Sequence, residues 1–267
     1  MEMKKTVIKL LHVVAVLLFT LGCKDSTSPG DLRTRALAFD GIDDYVYLGG
    51  YHDLEFRGEL TISAWVNVDT FHSHAGIISK GDIFGGNNVC AYGLGVNKDD
   101  HKVYFIINTD KLVRRSLESL NPINSKTWYH LAGTFQPGVG LKLYIDGHLE
   151  RAMLISDSAI SYRSISSRLD VRIGDAQRQY ENGFFKGKID EVRFWDVVRD
   201  ESQIKMVMNY RLLGKEKGLV VYYPFDQDAG QTVRDFAGSR NGHLGSTPHE
   251  DENDPVWIDI DLPYSSQ

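Results

Sequence analysis

The chain has 267 residues, 42% of them hydrophobic, which suffices for one large β domain or two ordinary domains and excludes a disordered or fibrous protein. Its 36 acidic residues outnumber its 30 basic residues, so the net charge is -6. Because lysine and arginine do not cluster with interleaved aromatic residues, nucleic acid is not expected as a partner.

Residues 1–22 have the pattern of a secretory signal. Two lysines precede an apolar run from Val7 to Leu21, and a glycine then stands directly before Cys23. A transmembrane anchor is the alternative, but the run is shorter than the about 20 uninterrupted apolar residues that a span needs. We therefore expect a signal peptide, followed by a Ser/Thr/Pro/Gly-rich tether over residues 23–33.

The N-terminal segment resembles a bacterial lipoprotein signal, which is cleaved before a cysteine whose thiol is then lipidated. The resemblance implies that Cys23 carries lipid and anchors the chain stably, because several acyl chains on one residue hold a protein at a membrane. The following KDSTSPG resembles the Lys-acid signal that sends some lipoproteins to the surface of Gram-negative bacteria. The implied location is the outer membrane of the bacterial cell envelope. The resemblance leaves open whether the chain is attached to the inner leaflet or exposed at the cell surface. Cys90 then has no partner, so no disulfide is expected.

Strand-length runs separated by turn residues follow the tether, which predicts a β-sandwich or barrel. The clearest is LTISAWVNV, in which alternate residues face opposite ways, as in a half-buried strand. The other predicted strands are Ala36 to Phe39, Tyr45 to Leu48, Gly76 to Ser79, Tyr92 to Val96, Val103 to Ile107, Trp128 to Phe135, Leu141 to Ile145, Val171 to Ile173, Ile189 to Trp195 and Val220 to Tyr223.

Two local signals predict a hairpin and a helix. Asp146-Gly147 lies between apolar runs and favours a type I′ turn. Asp200 and Gln203 form a capping-box start for the one clear helix. Its apolar face would be Ile204, Val207, Met208 and Leu212, with Gly214 as the C-terminal cap.

Seven phrases resemble, in order, the laminin-G-like domains of the concanavalin A-like lectin/glucanase superfamily. They are LAFDGIDDYVYLG, LTISAWVNV, IISKGD, WYHLAGTF, LKLYIDGHL, RIGDA and GKIDEVRFWDVVRDESQI, and they span about residues 34 to 213. The resemblance implies an all-β fold with two antiparallel sheets in a jelly-roll sandwich, carrying one short helix. We expect one domain over residues 34–262, whose tail 218–262 completes the sandwich or forms a second small unit.

The superfamily includes glycosidases, so the acids are candidates for catalysis. Retaining hydrolysis needs two carboxyl groups about 5 to 5.5 Å apart, which alternate residues of one strand provide. Asp190 and Glu191 are adjacent and would point to opposite faces, and the same holds for Asp43 and Asp44. We therefore predict no enzyme activity.

A structural calcium site is predicted from Asp40, Asp43 and Asp190. Strand alternation puts Asp190 on the face of Val192 and Phe194, which are core candidates, and an unpaired buried charge costs several kcal/mol. Asp40 and Asp43, in a turn between strands, could meet it and form a hard oxygen cage that suits Ca²⁺. The alternative is that these acids accept hydrogen bonds from nearby backbone amides.

A resemblance to pentraxins, which share the order of RIGDAQ and NGFFKGKIDEVRFWD, implies a second calcium site. By position its loops correspond to Asp82 and Asn87 and to Asp175 and Gln177. The alternative is that these four residues are ordinary turn residues that bind no calcium.

Aromatic and amide side chains in the loops are the candidates for ligand binding, because aromatic rings stack on sugars while amides bond hydroxyls. They are Phe71, His72, His74, Phe84, Asn88, Tyr180 and Asn182. The sequence thus predicts a non-catalytic, lipid-anchored binding module for a carbohydrate or glycosylated partner, assisted by calcium. A protein-binding adhesion or assembly domain is the alternative, and a degenerate or unusual glycoside hydrolase is the third; the oligomeric state is open.

Overall fold

The computed structural model describes residues 35–50, 52–56, 58–72, 74–85, 89–162, 169–178, 182–252 and 254–260. These residues form two antiparallel β-sheets that share one hydrophobic core, with a single short α-helix on the outside of the described part. The predicted all-β jelly-roll sandwich is confirmed. In this part of the chain no helix is long and apolar enough to cross a membrane. The signal peptide and tether lie outside the described residues.

Sheet A has eight described strands: β1 (Arg35–Asp40), β3 (Leu60–Val68), β8 (Trp128–Gln136), β9 (Gly140–Ile145), β10 (His148–Leu154), β12 (Lys186–Trp195), β13 (Leu219–Tyr223) and β16 (Val256–Asp259). Their order is β10-β9-β8-β3-β12-β1-β16, and β13 pairs with β12 beyond the end of β1.

Sheet B also has eight strands among the described residues: β2 (Val46–Gly49), β4 (Ala75–Gly81), β5 (Cys90–Val96), β6 (Val103–Asn108), β7 (Arg114–Glu118), β11 (Val171–Ile173), β14 (Thr232–Val233) and β15 (Gly242–Leu244). They run in the order β14-β15-β2-β11-β4-β5-β6-β7. The tail therefore adds strands to both sheets, since β13 and β16 extend sheet A while β14 and β15 extend sheet B.

The strand β3 shows how alternation builds the sandwich. Ile62, Ala64 and Val66 enter the common core, as their spacing predicts. The opposite face is buried too, so the expectation of a half-buried strand is wrong. Trp65 on that outer face donates its indole N–H to the carbonyl of Met208 at 2.8 Å, because the helix and the chain after it cover this part of sheet A.

The hairpin between β9 and β10 follows the predicted turn. Asp146 and Gly147 have φ angles of 49° and 73°, the left-handed conformation that both central residues of a type I′ turn require. The Asp146 carboxylate also accepts the His130 backbone N–H at 2.8 Å, which ties the turn to β8.

The helix α1 (Glu201–Met208) begins as predicted, with the Asp200 carboxylate accepting from Gln203 N and the Gln203 side chain accepting from Asp200 N. It ends earlier than the sequence predicts, so Leu212 and Gly214 lie beyond it. Side chains of sheet A bond its last carbonyls, including Trp65 to Met208, and only Ile204 of the helix is buried.

A β-bulge in β12 reverses the predicted alternation of the KIDEVRFW segment. Asp190 lies opposite Trp65 and Arg193 opposite Ser63, so β12 has one residue more than β3 over this interval. The extra residue is Glu191, which has a φ of 55°. Ile189 thus shares the core with Val192 and Phe194, and Asp190 lies on the outer face with Trp65. The prediction that Asp190 shares the face of Val192 and Phe194 is wrong.

Candidate functional site

Three carboxylates converge in the turn after β1, which we call the acidic turn (residues 40–44). Asp40, Asp43 and Asp44 can each offer one oxygen, and these oxygens lie within 4.8 Å of one another. The turn is folded by its own acids: Asp44 Oδ2 accepts from Asp40 N at 2.6 Å, and Asp40 Oδ1 accepts from Ile42 N at 2.7 Å. Both predicted roles, hydrogen bonds within the turn and a hard oxygen cluster, are therefore compatible with its geometry.

The electrostatics of the acidic turn disfavour three free negative charges. Burial, together with the carboxylates of Asp40, Asp43 and Asp254, raises the pKa of Asp44 from 3.8 to about 6. The pKa of Asp43 is also raised, by its partial burial and by Asp40, Glu252 and Asp251. The loop before β16 thus brings further acids to the turn, and no described lysine or arginine forms an ion pair with its three carboxylates.

Two predicted ligand-binding residues instead support the acidic turn. Asn182 donates its side-chain N–H to the carbonyl of Gly41 at 3.0 Å and accepts from Phe184 N at 2.9 Å. The His72 ring lies directly against Gly41, where a Cβ atom would come within 2.6 Å of its Cε1. Gly41 also has a φ of 80°, so this position needs glycine for both space and conformation.

Asp190 does not join the acidic turn, which corrects the predicted ligand set. Asp40 pairs with Lys186 of β12, and Asp190 lies four residues farther along that strand. At a rise of about 3.3 Å per residue the two acids are about 13 Å apart along the strand. Asp190 is fully buried, and its Oδ1 accepts from Glu191 N at 2.8 Å. The third acid of the cluster is Asp44, which directly follows Asp43 in the sequence.

A buried network holds the other acid of the KIDEVRFW segment. Glu191 forms an ion pair with Arg193 and accepts from the Tyr222 hydroxyl at 2.6 Å. Arg193 also donates to the carbonyls of Val207 and Tyr210, each at 2.8 Å. This segment therefore attaches the end of the helix to sheet A. The buried Glu191 carboxylate cannot reach a ligand in solvent.

The residues of the predicted pentraxin-like site bond one another and arginine. Asp175 forms an ion pair with Arg172 at 2.8 Å and accepts from Gln177 N at 2.7 Å. The Gln177 amide donates to Ser79 Oγ at 2.8 Å. Asp82 accepts from the backbone N–H of Phe84 at 3.1 Å. Burial raises the pKa of Asp82 while Arg178 and Arg114 oppose this rise, so guanidinium groups already supply positive charge here. Asn87 lies outside the described residues.

A row of partly exposed aromatic rings lies on the outer face of sheet B, and we call it the aromatic strip (His74, Phe84 and Tyr104). The ring centroids of His74 and Phe84 are 4.8 Å apart, and those of Phe84 and Tyr104 are 5.7 Å apart. Gly95, opposite Tyr104, permits this contact, because a Cβ there would lie 2.7 Å from Phe84 Cε2. The Tyr104 hydroxyl donates to Asp100 at 2.6 Å.

The structure therefore brings two of the predicted ligand-binding residues, His74 and Phe84, into one surface. Tyr104 was missed, although its place between core residues Val103 and Phe105 predicts an outward side chain. Phe71 instead stacks on His101 at 4.1 Å and packs against the core. The predictions for Cys23, Asn88 and Tyr180 lie outside the described residues.

The sequence profile of the concanavalin A-like lectin/glucanases superfamily matches residues 40–205, more than half of the chain. The chain belongs to this superfamily. No curated protein matches it closely. Among solved structures, this superfamily member resembles a candidate carbohydrate-binding protein from Bacteroides ovatus, with 21% identity and a TM-score of 0.67 over 86% of this chain and 61% of that one.

Two further structures share the fold of this superfamily member. A heptameric SAP-like pentraxin from Limulus polyphemus is 16% identical, with a TM-score of 0.54 over 80% of this chain and 96% of that one. The CBM40 of a Ruminococcus gnavus sialidase, solved with α2,3 sialyllactose, is also 16% identical, with a TM-score of 0.51 over 66% and 97%. The structural relationship to pentraxins and carbohydrate-binding proteins is thus shown at the level of the fold.

Proposed function

We propose that this protein is a carbohydrate-binding module without catalytic activity, held by lipid on Cys23 at the outer membrane of a bacterial cell envelope. The observation that carries the proposal is the aromatic strip, a partly exposed row of rings bordered by the Tyr104 hydroxyl and the Asp100 carboxylate. Sugar rings stack on aromatic faces while their hydroxyls need polar partners, and the strip offers both. The carbohydrate-binding proteins among the structural relatives agree with this function.

A catalytic role has less support from the positions of the acids. Asp190 and Glu191 are fully buried, and Glu191 is bonded to Arg193 and Tyr222. The acidic turn belongs to a single connection, and its oxygens lie within 4.8 Å of one another. This arrangement favours a shared cation over two carboxyl groups on either side of a scissile bond.

We further propose that the acidic turn holds Ca²⁺. Its three carboxylates are hard oxygen ligands, and the adjacent loop contributes negative charge from Asp251, Glu252 and Asp254. Gln231, just before β14, donates its amide to Asp254 Oδ2 of this loop at 2.7 Å. Asp254 Oδ1 and the Gln231 side-chain oxygen are buried, and neither accepts a hydrogen bond from a described residue. A bound calcium ion would offset the mutual repulsion of the acids and fix the turn between β1 and β2.

A glycan array with Phe84→Ala tests the function. We expect the wild-type protein to bind a defined set of glycans, and the variant to bind them about tenfold more weakly because one stacking surface is lost. Phe236→Ala is the matched control, since Phe236 is an exposed aromatic ring outside the strip. Silence of the wild-type protein across the array, together with capture of a defined protein partner, would replace this function by protein adhesion.

Lipid attachment is tested separately by Cys23→Ser. We expect the wild-type chain to incorporate labelled fatty acid and to sediment with outer membranes, and the variant to do neither. Cys90→Ala is the control, because Cys90 is the second of the two cysteines and is buried. Equal labelling of the wild type and Cys23→Ser would contradict the anchor.

A further inference from the structure

A cavity of about 560 Å³ lies between the segment after β2, the end of β12 and the start of β13. Four acidic residues line it, Asp53, Glu55, Glu59 and Asp196, together with Arg240. The cavity has the size of a small-molecule site. It shares no lining residue with the aromatic strip or with the acidic turn.

Residues 52–56 line one part of this cavity. Side chains of strands β4 and β5 in sheet B hold this segment in place. The buried Lys80 ammonium donates to the Asp53 carbonyl at 2.5 Å, and the Tyr92 hydroxyl donates to the Leu54 carbonyl at 2.8 Å. These bonds fix the backbone that carries the Asp53 and Glu55 side chains. Such preorganisation lowers the entropic cost of binding.

The Glu59 carboxylate has its own support. Glu59 accepts from the Gln136 amide at 3.2 Å and from Val198 N at 2.9 Å, so its carboxylate is held by β8 and by the chain after β12. Residues 52–56 and Glu59 are therefore held in place by different contacts.

The described acids of this cavity do not form a cluster of three or more metal-ligand side chains. The one group of three or more described acids or other ligand side chains close enough to share an ion is the acidic turn. Asp53 already accepts from Gly50 N at 2.9 Å and Glu59 accepts two hydrogen bonds, but an ionised carboxylate has about four acceptor sites, so both can accept further donors from a ligand. A sugar presents donors around its whole perimeter, whereas a lysyl side chain presents one charged group on an apolar stem.

The charge of the cavity selects among sugars. Four of the described lining residues are acidic, whereas Arg240 is cationic and the His52 ring lies 3.6 Å from the Glu55 carboxylate. The Lys80 ammonium beneath residues 52–56 adds one positive charge, so negative charge remains in excess. Charged hydrogen bonds to carboxylates are stronger than neutral ones, so a protonated amine is favoured over a hydroxyl or an acetamide. We propose that this cavity binds an oligosaccharide that carries free amino groups, at a site separate from the aromatic strip.

Calorimetric titration with glucosamine di- and trisaccharides tests the site, with the N-acetylated oligosaccharides of the same length as neutral counterparts. We expect the free amines to bind at least about tenfold more tightly than the acetylated sugars, and salt to weaken the binding. Glu55→Gln should lower the affinity about tenfold. Glu150→Gln on β10 is the control and should leave it unchanged, and thermal unfolding of both variants checks that they fold.

Equal affinity for acetylated sugars, or no effect of Glu55→Gln in a folded protein, would overturn the proposal. Binding of lysine amide as tightly as the amino sugar would also overturn it in favour of a peptide ligand. Phe84→Ala should leave the titration unchanged, so failure of this site and failure of the glycan function at the aromatic strip are distinguishable.

Discussion

Two acidic segments, the FDGIDD turn and the KIDEVRFW strand, look alike in sequence but have opposite environments. Glu191 in the strand is fully buried, where Arg193 and the Tyr222 hydroxyl satisfy its carboxylate. The acidic turn gathers Asp40, Asp43 and Asp44 without an ion pair to any described lysine or arginine. Both segments concentrate negative charge, but one is neutralised from within the protein.

The comparison teaches that a carboxylate's role follows from what neutralises it. A buried charge with an internal partner attaches one element to another, and removing that partner is costly. A group of acids without such a partner is suited to an external cation. Each of the following experiments tests one side of this distinction.

The largest effect is expected from Arg193→Leu, which leaves Glu191 buried without its counter-charge and removes two donors to the end of the helix. We expect a loss of about 3–5 kcal/mol in the free energy of unfolding, measured by urea denaturation. Arg151→Leu is the matched control, because the Arg151–Glu118 pair is 3.8 Å apart and 44% exposed on both sides. This control should lose less than about 1 kcal/mol. Equal losses would contradict the stabilising role of the buried Glu191–Arg193 pair.

Calcium should give the next largest effect. At a calcium concentration of about 100 times its dissociation constant, the free energy of unfolding should rise by about 2.7 kcal/mol, and chelation should reverse the rise. Asp44→Asn should abolish this response, whereas Asp99→Asn, in an exposed turn elsewhere, should retain it. If Asp44→Asn responds to calcium as the wild type does, the acidic turn is not the binding site.

The pH dependence of the calcium-free protein should reveal the same acids. The folded pKa of Asp44, about 6, lies above its ordinary value of 3.8, so the folded state binds more protons than the unfolded state between these values. Stability therefore falls as the pH rises from about 4 to about 6. The slope is obtained from urea unfolding at several pH values. Asp44→Asn should flatten it relative to the wild type, and a slope unchanged by the substitution would contradict the raised pKa.

Asp200→Ala should have the smallest effect, a loss of about 1 kcal/mol, because it removes the capping bond at the start of the helix. Thermal unfolding measures the loss, and Asp99→Ala is the control. The double variant Asp200→Ala/Arg193→Leu should lose less stability than the sum of the losses of the two single variants, since both substitutions loosen the same helix. Strict additivity would show that the buried network and the helix are energetically independent.

Local patterns sufficed to predict much of the fold. The strand at LTISAWVNV, the Asp146-Gly147 turn and the start of the helix at Asp200 all depend on neighbours in the chain, and each forms where it is predicted, although the strand is buried on both faces. The missed strands β7, β14, β15 and β16 have weak alternation of their own. They form because partner strands elsewhere in the chain supply their hydrogen bonds.

The candidate site was predicted less well, because its members meet through pairing between distant segments. His74 and Phe84 were found from their aromatic character, whereas their neighbour Tyr104 belongs to a strand 20 residues beyond Phe84. Asp190 was assigned to the wrong face, because alternation assumes a regular strand and the bulge at Glu191 adds a residue. No local feature of KIDEVRFW marks that extra residue.

The sequence by itself determined the superfamily, the two-sheet architecture and the acidic turn, since all three depend on short segments whose periodicity and turn chemistry act locally. Only the tertiary structure decided which acids are neutralised, which rings form a surface and where the 560 Å³ cavity lies. The physical reason is that burial and charge compensation depend on strand register and on residues far apart in the chain, such as Glu191 and Tyr222.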